Sequence, residues 1–84
     1  MATPRLWRPL VAMVRVAIMI GTPQGSNLVE AQTEREAAAT AEAVLRRLDP
    51  LALPVPVRVL CDDPKAAVRL SHYLAAVQAD LVRG

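Results

Sequence analysis

Gly21-Thr22-Pro23-Gln24-Gly25-Ser26-Asn27 is the stretch whose residue types and spacing come nearest to chemistry. Glycines let backbone amides close on an anion, and Ser26 or Asn27 could cap a helix whose N-terminus adds partial positive charge. A turn of that kind would take a phosphate-bearing ligand or a nucleotide on Gly21, Thr22, Gly25, Ser26 and Asn27. The same residues serve equally as a plain turn from strand into helix with nothing bound, and that simpler role is favoured.

The spacing is similar to the G-x-x-x-G-x-G turn of the short-chain dehydrogenases and, more loosely, to the phosphate loop of the flavodoxin-like reductases. The match covers under ten residues, Asn27 stands in place of the last glycine, and no Tyr-x-x-x-Lys follows. Asp62 lies about twice as far downstream as the roughly 20 residues at which a ribose-binding acid belongs. With 84 residues the chain is also too short for either fold.

Other reactive side chains have simpler roles. Glu30 and Glu34, on a helix starting at Asn27, would gather with Asp62 and Asp63 near one edge of a sheet and could hold a hard cation. Dipole compensation by Glu34 and Glu36 and capping by Asp63 account for the same acids, so no metal and no cofactor is expected. His72 has no nucleophile or acid at a telling distance and is read as a surface histidine. Cys61 alternates with Val57 and Val59, which makes it a buried apolar thiol, not a reactive one. No catalytic constellation results, and the chain is read as non-enzymatic.

The elements that would position these residues follow from hydrophobic periodicity. Val14, Val16, Ile18 and Ile20 alternate with Arg15, Ala17 and Met19, predicting a strand with one fully apolar face and one mixed face. Either Asn27 with Glu30 or Thr33 with Glu36 supplies a capping box for a helix that runs to Leu48 and stops at Asp49-Pro50. Its stripe is Ala37, Ala41, Val44, Leu45 and Leu48. A second strand is predicted over Val55 to Cys61, with a short extra strand possible in Leu51 to Leu53. Asp62-Asp63-Pro64 then opens a helix reaching about Val82, with Ala67, Leu70, Leu74, Val77 and Leu81 inward.

Strand, helix, strand, helix implies a small two-layer α/β domain, β-α-β-α, with a parallel strand pair joined by a right-handed crossover and both helices on one face. Residues 10–84 are assigned to that domain, and residues 1–9, with Pro4 and Pro9 around Trp7, to a loose N-terminal arm. At one point only, the alternating strand from Arg15 to Ile20 before a helix, the chain resembles the ribbon-helix-helix repressors. One long helix follows where they have two short ones.

Composition narrows the function classes. The 54% hydrophobic content excludes intrinsic disorder, and with no Phe, one Trp and one Tyr the core must be built from Ala, Val and Leu. A net charge of +2, from arginines scattered along the chain, is weak support for nucleic acid. One cysteine excludes an internal disulfide and suits a reducing, cytoplasmic setting. No membrane span is expected, because Arg15 interrupts an apolar run already too short.

A small non-enzymatic protein-interaction module is therefore favoured: a regulator, inhibitor or antitoxin-like adaptor that works as a homodimer or on another protein. Its expected surface is Trp7, Arg15, Met19, Arg58 and Leu60. Second come a nucleic-acid binder using Arg5, Arg8, Arg15, Arg58, Arg69 and Arg83, and a phosphate-ligand binder at Gly21 to Asn27.

Overall fold

Residues 15–84 are described by the computed structural model, in the order β1 (Val16–Thr22), β2 (Gly25–Ala31), α1 (Glu34–Arg46), β3 (Val57–Cys61) and α2 (Pro64–Arg83). A short 3-10 helix, Pro50–Ala52, takes the place of the extra strand expected in Leu51 to Leu53. The expected arm over residues 1–9, with Arg5, Trp7 and Arg8, lies outside the described residues.

The sheet has three strands in the order β2-β1-β3, and both pairings are antiparallel. This corrects the expected parallel pair. The error lies in one segment, Gly25–Ala31, which is a strand and not the first turns of a helix beginning at Asn27. Because β1 turns back into β2 before α1 begins, the helix carries the chain from β2 to β3, two strands that run the same way with β1 between them. A helical crossover does link strands of like direction, but they are the outer two, and each is antiparallel to the strand they share.

β1 takes the centre because it is apolar on both sides. Val16, Ile18 and Ile20 are buried on one face, and Ala17 and Met19 lie on the other. The hairpin to β2 turns through Pro23-Gln24, with Thr22 opposite Gly25. Proline fixes φ near −65° where the usual two-residue hairpin turns need positive φ. The positive φ falls instead on Gly25, at 132°. The Thr22 hydroxyl donates to the Gly25 carbonyl at 2.5 Å and closes the turn.

Of the two candidate helix starts, Thr33 is the one used: its side chain accepts from Glu36 N at 3.0 Å. Glu36 in turn accepts from Gln32 N at 3.4 Å, a capping box displaced by one residue. Ala37, Ala41 and Leu45 recur every four residues and are buried, so α1 approaches the sheet closely along small side chains. Asp63 caps α2 by accepting from Lys65 N at 3.0 Å, with Pro64 at the first helical position.

Both helices pack on the face of the sheet that carries Val16, Ile18, Ile20 and Val29. There they form one core with Leu70, Leu74 and Val77 of α2 and Val55 of the loop before β3. The expected two-layer arrangement, helices on one side and sheet on the other, is the one found.

Candidate functional site

Cross-strand pairing places side chains of the helix-free face in two rows. Glu30, Ala17 and Leu60 stand abreast on β2, β1 and β3, and Leu28, Met19 and Arg58 stand abreast one step along. Directly paired residues point to the same side of a sheet, and alternate residues along each strand do so as well. Because Val16, Ile18 and Ile20 turn inward, both of these rows turn outward.

Among the described residues nothing packs over them. Met19 is 38% exposed, Leu28 55% and Leu60 57%, unlike their neighbours Ile18 and Ile20 on the opposite face, at 0%. Antiparallel sheets commonly leave one face to water, but that face then alternates into polar residues. Here the two leucines occupy opposite corners of the two rows, and Ala17 and Met19 fill the middle. The remaining corners hold Glu30 and Arg58, one acid and one base.

The surface expected from sequence is thus partly assembled. Met19, Arg58 and Leu60 come together on this face, and Arg15, exposed just before β1, lines an open depression of about 820 Å³ with Ala17, Glu30 and Leu60 at one end of it. Trp7 lies outside the described residues. Leu28 and Glu30 join this face only because Gly25–Ala31 is a strand and not the helix expected from Asn27. The one local signal for them is the turn chemistry of Pro23-Gln24-Gly25 directly after a strand, since the segment that follows does not itself alternate.

Gly21, Thr22, Gly25, Ser26 and Asn27 are all in the β1-β2 hairpin. The strand-turn-helix geometry that suggested an anion site there is replaced by a tight reversal, and the nearest helix starts at Glu34. The four acids do not meet at one point: Glu30 and Asp62 line the open depression, Glu34 is held by Arg69, and Asp63 caps α2. Among the described residues no three His, Cys, Asp or Glu side chains come together as a metal site. Cys61 is half-buried on the inner side beside Val16, and His72 is exposed.

Comparison with protein-family models, with curated proteins and with solved structures finds no match for this chain.

The helices' shared outer surface carries a second polar grouping. Arg69 of α2 donates twice to Glu34 of α1, from Nε at 2.8 Å and from Nη2 at 2.7 Å, a bidentate clasp between the helix starts. Those hydrogen bonds hold the Glu34 carboxyl below its ordinary pKa and the Arg69 guanidinium above its own. Farther along, the Tyr73 hydroxyl donates to Glu42, which also accepts from Arg46 at 2.8 Å. Glu42 is lowered first by Tyr73 and then by Arg46, and the Tyr73 phenol is raised in return. Together the Glu34–Arg69 and Tyr73–Glu42 contacts tie the two helices to each other.

No helix among the described residues is long and apolar enough to cross a membrane.

Proposed function

We propose that this protein is a small non-enzymatic protein-interaction module, a regulator, inhibitor or antitoxin-like adaptor, whose working surface is the helix-free face of the sheet. The observation that carries this reading is the open cluster of Leu28, Met19, Ala17 and Leu60 between Glu30 and Arg58. An apolar centre with charges at its margin is the make-up of a protein-binding patch, since the centre drives association and the charges orient it. The lone thiol of Cys61 suits work in the cytoplasm, where it stays reduced.

Nucleic-acid binding draws less support. Arg69 is paired with Glu34 and Arg83 with Asp80, so that of the proposed set only Arg15 and Arg58 make no ion pair among the described residues. Those two do not make a basic stripe of the kind that tracks a phosphate backbone.

Affinity capture from the native cell tests the module reading, comparing the natural chain with Met19→Asp. The expected result is that a protein, foreign or a second copy, is retained by the natural chain and lost with the variant while far-UV circular dichroism is unchanged. Retention of the same proteins by both chains would refute the assignment of this face. Binding to duplex DNA that falls steeply with salt would replace it with the nucleic-acid function.

A further inference from the structure

We infer that the partner of the helix-free face is a second copy of the same chain, stacked sheet to sheet about a two-fold axis that runs along the Leu28 to Leu60 diagonal. The inference rests on the assignment of that face as the interaction surface and adds the identity and geometry of its occupant.

The face is self-complementary. In a two-fold contact, residue i of one copy meets residue j of the other, and j meets i. Leu28 and Leu60 stand at opposite corners of the face, Glu30 and Arg58 at the other two. Rotation about the apolar diagonal lays each leucine against its own counterpart and carries each Glu30 toward the other copy's Arg58. One operation therefore buries all the large apolar side chains of the face and forms two acid-base pairs at its margin. A foreign partner would need no such symmetry in the placement of its own charges.

Strand geometry fixes how the sheets would cross. Neighbouring strands lie about 4.8 Å apart and alternate residues about 7 Å apart, which sets the Leu28 to Leu60 line at about 55° to the strands. The strands of the two copies then cross at about 70°, nearer the orthogonal class of sheet packing than the aligned one. At that angle the two hairpin ends point away from each other, and β2 and β3 remain free edges in both copies.

The size of the face sets the strength. Three strands of seven residues or fewer present roughly 300 Å² per copy, against roughly 800 Å² per partner in a standard interface. A reversible dimer in the micromolar range is the expected species, and the monomer should fold by itself because its core lies wholly on the other side of the sheet.

Sedimentation velocity on the full chain from about 1 µM to about 1 mM reads this directly. The natural chain is expected to shift from monomer to dimer over that range, and Met19→Asp to remain monomeric with unchanged circular dichroism. Glu30→Arg alone and Arg58→Glu alone should each weaken the dimer about tenfold or more, since symmetry repeats every like-charge contact twice. The combined exchange, Glu30→Arg with Arg58→Glu, should restore dimerisation to within about threefold of the natural chain, because each acid again faces a base. A monomer at every concentration overturns the inference. So does a dimer indifferent to Met19→Asp, which would place the contact at a strand edge, and so does a double exchange no better than the singles. If the chain is monomeric and yet captures a foreign protein in a Met19-dependent way, the interaction module stands and only its self-pairing falls.

Discussion

Gln78 and Val55 are joined by two hydrogen bonds in the interior: the Gln78 Oε1 accepts from Val55 N at 2.7 Å, and its Nε2 donates to the Val55 carbonyl at 3.0 Å. Gln78 is 7% exposed and Val55 8%. Leu53 to Pro56 cannot be a regular strand, as two of its four residues are prolines, so the backbone of Val55 has no sheet partner of its own. One side-chain amide from α2 supplies both a donor and an acceptor, and Val55 can then enter the core without stranding its peptide groups.

Gln78→Ala should therefore cost about 2 kcal/mol or more, because it leaves a buried N–H and a buried carbonyl unpaired together. Gln78→Glu should also destabilise at neutral pH, since a carboxylate keeps the acceptor but loses the donor. Its deficit should shrink on acidification, as a protonated carboxyl donates again. Urea unfolding at pH 7 and pH 4 checks both, and a Gln78→Ala midpoint equal to that of the natural chain would contradict the pairing.

Gly25→Ala should lower stability by about 1 kcal/mol or more, for the backbone alone. Gly25 sits at φ 132°, and a Cβ built there meets no atom within 4 Å, so the penalty is conformational and not steric against a neighbour. An unchanged thermal midpoint would show that the hairpin closes in another way.

Glu34 and Glu42 should titrate below the ordinary glutamate value of 4.5. A carboxyl whose pKa is lowered by folding holds fewer protons in the folded chain than in the unfolded one. Its stabilising effect is then complete above the unfolded pKa and disappears as pH falls through the folded value. Side-chain NMR titration should place both midpoints low, and Arg69→Ala should raise that of Glu34 to the ordinary value or above it, since burial and Asp63 both push it up, while leaving Glu42 in place. Both side chains of the Glu34 and Arg69 pair are substantially exposed, so the same substitution should move the melting temperature little. A Glu34 midpoint that does not respond to Arg69→Ala would remove the clasp from the solution structure.

Much of this fold was legible residue by residue, because local signals and burial agree. The Val16, Ile18, Ile20 alternation, the Thr33 cap with acids behind it, the fourfold spacing of Ala37, Ala41 and Leu45, and Asp63-Pro64 opening α2 each have a physical cause within a few residues of chain. The outer residues Met19, Arg58 and Leu60 followed from the same alternation. Gly25–Ala31 was not legible in that way. Its residues are Gly, Ser, Asn, Leu, Val, Glu and Ala, poor strand formers apart from Val29 and Leu28, and a serine or asparagine followed by acids mimics a helix cap.

What makes that segment a strand is the hydrogen-bonding edge of β1 and the burial of Val29 in the shared core, and neither is a property of the segment. Once it pairs with β1 the chain direction reverses, so that both neighbours of β1 must run against it. The amino-acid sequence by itself determined that two amphipathic helices follow apolar strands, that Leu45, Leu70, Leu74 and Val77 turn inward, and that β1 has one fully apolar face. Only the tertiary structure decided the strand order, the strand directions and the meeting of Leu28, Glu30, Arg58 and Leu60 on one surface. Strand pairing joins backbone groups of residues far apart in the chain, and its energy is not encoded in the periodicity of either strand alone.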